Sequence, residues 1–212
     1  MTINFKILDQ ILYNLKKFDK ANLLIVSKNQ TSNDVQELIN QGFKIFGENR
    51  VQEASKKFGN IVNIEKIDLH LIGPLQTNKV KNALTLFNTI QSIDRKKLVD
   101  AIAKVSTSLK NKKTNYYYIQ VNIGSETQKS GVGQADVADL YRYAIDKGLN
   151  VIGLMCIPPM GSNSEIFFKE MNVIKNKINP KLFLSMGMSN DYLVALNHKS
   201  NLIRVGSLIF ND

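Results

Sequence analysis

With 212 residues and 43% apolar content, the chain can bury one substantial core, and no linker or low-complexity tract divides residues 1–212 into more than a single expected domain. Its formal charge of +10 points toward anionic partners, but the basic residues are mostly scattered lysines, joined by Arg50, Arg95, Arg142 and Arg204. The densest clusters, Lys110 with Lys112 and Lys113, and Arg95 with Lys96 and Lys97, are short and lack the interleaved aromatics of a single-strand binder. A solvated lysine-rich surface is therefore expected, with no specific nucleic-acid partner. Cys156 is the only cysteine, which excludes an intrachain disulfide and a cysteine-based zinc site. His70 and His198 lack the spacing of a local metal motif. No apolar run has the length of a membrane span, and the charged N-terminal stretch, with Asp9 and no arginine, fits neither a signal peptide nor a transit peptide. A soluble, cytoplasmic protein is expected.

In chain order, an amphipathic helix is predicted over about residues 4–18. LLIVS (23–27) predicts a strand, and helix 32–41 follows with Ser32 or Asn33 as its N-cap. FKIFGE (43–48) and helix 50–58 come next, then IDLHLIG (67–73) and helix 76–84. NTIQSID (88–94) precedes helix 95–109, with Asp94 as N-cap, and NYYYIQVNI (115–123) precedes helix 134–147. Gly148 stands where that helix wants a left-handed C-cap. NVIGLMCI (150–157), helix 164–177, KLFLSMGM (181–188), helix 189–198 with Ser189 as N-cap, and NLIRVGSLIF (201–210) complete the series. Eight strands alternating with helices predict an α/β fold, a closed parallel (β/α)8 TIM barrel with an extra N-terminal helix. An open doubly wound sheet would want a glycine fingerprint after the first strand, where Lys28, Asn29 and Gln30 stand instead.

In such a barrel the C-terminal strand ends converge on one face, and chemistry gathers there. That places Lys28, Glu48, Asn49, Gly73, Asp94, Asn122, residues 155–157, 186–189 and 204–207 together. A lysine leaving an apolar strand loses hydration, so its pKa is expected to fall and its neutral amine to attack aldehydes. Opposite it, SMGMS (185–189) leads into a predicted helix start, whose unpaired N–H groups attract anions. Gly206 and Ser207 of RVGS add close backbone approach and a hydroxyl. A phosphate cup facing an imine-forming amine suits pyridoxal 5′-phosphate (PLP), which carries both groups. A solvated strand-end lysine and an ordinary Gly-Ser turn are the competing readings of each piece alone.

The motifs IVSK (25–28), FGENRVQEASKK (46–57), HLIGPLQTNK (70–79), SID (92–94), VNIGSETQKSGV (121–132), GLMCIPP (153–159), LSMGMSND (184–191) and IRVGSLIF (203–210) run through nearly the whole chain. In that order they resemble the pyridoxal phosphate homeostasis protein family, itself similar to the N-terminal barrel domain of alanine racemases and of bacterial-type ornithine decarboxylases. The resemblance implies that Lys28 forms an aldimine with PLP and that Asn49 lies beside the cofactor. It implies that Ser189, Gly206 and Ser207 bind the phosphate and that Arg204 faces the pyridine nitrogen. Serine stands at 207 where relatives often have threonine, and Asn211-Asp212 follow Phe210 where most have glycine.

The resemblance also implies a role in intracellular PLP (vitamin B6) homeostasis, with client PLP enzymes as further partners; a monomer is expected, though nothing in the sequence itself distinguishes it from a dimer. An arginine does not protonate the pyridine nitrogen, which leaves the ring a poor electron sink. Tyr116, Tyr117 and Tyr118 begin the fifth strand, at the wrong end of the barrel to act as a second acid or base. A binding protein without robust catalysis is therefore expected; a weak amino-acid racemase or decarboxylase of the same fold is the alternative. Lys129 and Ser130 are candidates to cover the site or to form an ordinary polar loop, His70 to reach the site or to be a hydrogen-bonded structural histidine, and Cys156 is expected to be inert.

Overall fold

The computed structural model describes residues 3–210, so the Asn211-Asp212 ending lies outside the described residues. Eight parallel strands close a barrel: β1 (Asn22–Val26), β2 (Ile45–Glu48), β3 (Asp68–Leu71), β4 (Thr89–Ile93), β5 (Tyr116–Asn122), β7 (Val151–Cys156), β8 (Phe183–Ser185) and β9 (Leu202–Val205). β9 pairs with β1 and β4 with β5, so no barrel strand is left with an open edge. The unforeseen β6 (Val132–Gly133) adds two residues beside β5 outside the barrel, in the loop that follows that strand.

Helices α2 (Ser32–Asn40), α3 (Val51–Phe58), α4 (Val80–Leu86), α5 (Lys96–Ser108), α6 (Val137–Asp146), α7 (Ser164–Ile178) and α8 (Tyr192–Asn197) form the outer layer. Each turns its apolar stripe to the strands; Val35 and Leu38 of α2 are fully buried. The predicted helices at 76–84 and 134–147 both begin with a 3-10 turn, Thr77–Lys79 and Gln134–Asp136. α1 (Phe5–Leu15) is the expected extra helix; it buries Leu8, Ile11 and Leu15, and its Asn14 reaches the Tyr192 hydroxyl at 3.1 Å.

Three predicted caps are corrected. Thr31, not Ser32 or Asn33, caps α2: its hydroxyl accepts from the Asp34 N–H and the Asp34 carboxylate accepts from the Thr31 N–H. Both orphan donors are satisfied by this Thr-x-x-Asp box, one residue earlier than expected. Arg95 and Asp191 occupy the N-cap positions of α5 and α8 without a side-chain cap, in place of Asp94 and Ser189. Gly148 takes φ of +80°, as the C-cap position after α6 requires. The strand predicted over 201–210 stops at Val205, and residues 206–210 form a turn closed by Ile209 N–H to the Gly206 carbonyl at 2.8 Å. Among the described residues no helix is long and apolar enough to cross a membrane.

Candidate cofactor site

β1 is buried through Leu23, Leu24 and Ile25 and ends in a turn at Ser27-Lys28-Asn29, where Asn29 takes φ of +62°. A buried clamp holds this turn from below. The Ser27 hydroxyl donates to Glu48 Oε1 at 2.7 Å, and Lys57 Nζ of α3 donates to the same oxygen at 2.7 Å and to the Ser27 carbonyl. Glu48 thus lies beneath the mouth, fully buried, and not on the converging face where its strand-end position had placed it.

Above the clamp open two adjoining cavities of about 410 and 680 Å³, both lined by Lys28 and Arg204. Asn49 lines the first; Ser189, Gly206 and Ser207 line the second. All the predicted site residues therefore meet on one connected surface at the C-terminal mouth. Asn122 and Ile157 from the expected convergence also line it, whereas Asp94 pairs with Arg95 to one side. Lys28 is exposed, which corrects the expectation of an amine dehydrated by its strand. The cavity is open to water, so any dehydration has to come from the molecule that fills it.

Arg204, on β9, is 3% exposed and donates to Ser185 Oγ at 2.9 Å and to the Cys156 carbonyl at 2.8 Å. Among the described residues no carboxylate forms an ion pair with it. Burial pulls this guanidinium below its ordinary pKa. The Asp191 carboxylate on the same cavity offsets part of this without a direct contact, and an acceptor in the cavity would relieve the rest.

The other half of the surface is built by hydroxyls. Asp191 Oδ1 accepts from the Met188 N–H at 2.7 Å and closes the turn before α8. Ser189 therefore sits in that turn and not at a helix start, and Ser207 Oγ donates to Ser189 Oγ at 2.9 Å across the mouth. A Cβ on Gly206 would stand 2.9 Å from the Val26 carbonyl, so this glycine lets the end of β9 press against β1 beside Lys28. Similarly, a Cβ on Gly73 would meet the Asn49 carbonyl at 2.2 Å, which fixes where Asn49 stands.

Lys129 and Ser130 do line the surface, but Lys129 is tied to Glu126 at 2.6 Å and to the Pro158 carbonyl at 3.2 Å. Cys156 is fully buried, and burial pushes its thiol up to about 12. A colourless native protein–thiol assay is the expected result: disulfide reagents should react with Cys156 only under conditions that unfold the barrel, and prompt native labelling would contradict the structure.

Sequence reasoning missed what lies behind Arg204. Ser185 Oγ donates to Gln91 Oε1 at 2.6 Å, and Gln91 Nε2 lies 2.7 Å from His70 Nδ1. β4 and β8 are not neighbours in the sheet, so the Ser185–Gln91 bond crosses the barrel interior. With Gln91 donating, the His70 hydrogen sits on Nε2, which is 3.0 Å from Asp68 Oδ2 but outside hydrogen-bonding alignment. His70 thus belongs to the interior and does not reach the mouth. Lys57 was missed too, although a signal exists: it falls on the stripe Val51, Ala54, Phe58 that α3 buries.

The alanine racemase N-terminal domain model matches residues 6–212. The pyridoxal phosphate homeostasis protein of Aquifex aeolicus is 36% identical over 201 residues, covering 91% of this chain and 87% of that protein. PipY of Synechococcus elongatus, solved without and with PLP bound, superposes with TM-scores of 0.85 and 0.83 at 28% identity, over 95% of this chain and 98% of PipY. Alanine racemase from Clostridium difficile shares the fold alone, with a TM-score of 0.73 at 13% identity, this chain covering 57% of it. The chain belongs to the alanine racemase N-terminal domain family and, within it, to the pyridoxal phosphate homeostasis proteins.

Proposed function

We propose that the protein binds pyridoxal 5′-phosphate and serves intracellular vitamin B6 homeostasis, with the cofactor held covalently through Lys28. The observation that carries this reading is the buried Arg204, without a direct ion pair among the described residues, on the same cavity surface as Lys28 and the Ser189–Ser207 hydroxyl pair. Those three features suit the three groups of PLP. Arg204 donates to the pyridine nitrogen, Lys28 meets the aldehyde, and Ser189, Ser207 and the backbone at Gly206 hold the phosphate. Asn49 packs at the side of the ring. When bound, PLP supplies an electrophilic carbonyl and a conjugated ring; the chain supplies orientation.

The finer reading is that binding and release are the whole function, carried by residues 1–212 as a single unit. An arginine leaves the ring nitrogen unprotonated, since its guanidinium donates a hydrogen bond but is too weak an acid to give up the proton. Tyr117 and Tyr118 lie at the N-terminal end of β5, and burial pushes both phenols up, Tyr117 to about 12. Neither phenol is therefore placed to act as the second group of a two-sided proton transfer. Client enzymes would receive or return the cofactor at the open mouth.

The test is spectroscopic. Purified protein mixed with PLP should gain a visible absorption band, and borohydride should then add one reduced cofactor to the peptide containing Lys28. Lys28→Ala should show neither. A wild-type protein that stays colourless in excess PLP would refute the reading, and α-proton exchange of amino acids in deuterated water would refute its non-catalytic part.

A further inference from the structure

Beside the cofactor cavity lies another, of about 570 Å³, which shares only Asn49, Pro74 and Ser130 with it. Three cations line it, Arg50, Lys79 and Arg95, against one carboxylate, Asp94. It draws on four of the quoted motifs: Arg50–Gln52 from FGENRVQEASKK, residues 74–79 from HLIGPLQTNK, Asp94 from SID and Ser130 from VNIGSETQKSGV. The cofactor reading uses almost none of these residues.

The cations differ in how tightly they are engaged. Arg95 is anchored: one nitrogen pairs with Asp94 and another donates to the Leu75 carbonyl at 3.0 Å, which builds one wall. Arg50 pairs with Glu53 at 3.0 Å, yet the two side chains are 75% and 40% exposed. Such a pair contributes little, so the guanidinium is free to turn to a ligand. Lys79 is half-buried and makes no ion pair among the described residues. Arg50 and Arg95 also occupy the N-cap positions of α3 and α5, where no side chain satisfies the first backbone N–H groups. The cationic side chains are the primary feature; these amides add donors of the same sense.

We propose that this cavity is a second anion site, made for a phosphate or a phosphate monoester, adjoining the cofactor pocket at Asn49. The excess of positive charge suits a group carrying between one and two negative charges at neutral pH better than a single carboxylate. The cavity is large enough for a small phosphorylated molecule to lie beside bound PLP. The site stands on its own residues and does not depend on the role given to Lys28.

The test uses the PLP-loaded protein and backbone amide NMR. Inorganic phosphate should shift the amides of residues 51–53 and 96–98 saturably, while those of 206 and 207, covered by the cofactor, stay still. Arg50→Ala/Lys79→Ala should weaken that response roughly tenfold, since two charge-assisted contacts are lost. Lys79→Gln alone should weaken it less, and Lys104→Ala, on the exposed side of α5, should leave it unchanged. A non-saturable response, equal affinity in the double variant, or acetate binding as tightly as phosphate would each overturn the proposal. Movement of 206 and 207 under phosphate, despite added PLP, would instead indict the cofactor reading and leave the second site to be judged by 51–53 and 96–98.

Discussion

Lys57→Met should lower the unfolding free energy by about 3–5 kcal/mol, the cost of leaving one member of a buried ion pair without its partner. Glu48 is fully buried, and Lys57, at 9% exposure, is its only cation among the described ion pairs. Water cannot replace the lost ammonium without opening the space between α3, β1 and β2. The Ser27 carbonyl loses a donor in the same substitution. The turn that carries Lys28 should loosen with it, so cofactor binding weakens beyond what the fall in stability explains. Urea unfolding measures the first effect and absorbance titration with PLP the second. Glu48→Leu/Lys57→Met should regain much of the stability, because removing both charges spares the uncompensated one. A loss under about 1 kcal/mol in Lys57→Met would show that Glu48 is neutral or hydrated, contrary to the clamp.

Arg204→Met should separate binding from stability in the opposite direction. The guanidinium is buried without an ion-pair partner, so its removal relieves a desolvation cost, and Met fills much of the same space. Ser185 keeps Gln91 as its acceptor. The cofactor-free variant should therefore unfold at or above the wild-type temperature. PLP should bind about tenfold to a hundredfold more weakly, the value of a hydrogen bond from a charged donor. Stability held at the expense of function is the usual mark of a site residue. Should cofactor-free Arg204→Met unfold well below wild type with unchanged PLP affinity, Arg204 would be a strut of the barrel and the cofactor would take another orientation.

Much of the architecture was legible from periodicity. The eight apolar runs each match a barrel strand, seven containing it and the first falling one residue late, and the helix-period segments between them fall within a few residues of α2–α8. Strand ends were read too long, as in 201–210, because apolar content continues into the turn that buries Ile209 and Phe210. Caps were the weakest reading. Ser32, Asp94 and Ser189 are all good capping residues by type, but a cap is chosen by geometry, and Thr31 wins through its reciprocal bond with Asp34. Strand ends alone gave a longer set that also held Glu48 and Asp94; the resemblance narrowed it to Lys28, Asn49, Ser189, Arg204, Gly206 and Ser207, and these six do line one surface.

What periodicity could not supply is the polar interior. Gln91 and Ser185 look like interruptions in buried runs, and only closure of the barrel brings β4 and β8 face to face so that they bond and hold Arg204. The same holds for Lys57, whose place on an apolar stripe is visible in sequence while its partner on β2 is not. The amino-acid order by itself determined which segments are strands and helices, and therefore which residues stand at the mouth, because those depend on local spacing. Which buried polar groups answer one another, and that Lys28 stays open to water while Arg204 is enclosed, were decided only when the strands closed into a ring. Hydrogen bonding and desolvation act over a few ångströms of space and take no account of distance along the chain.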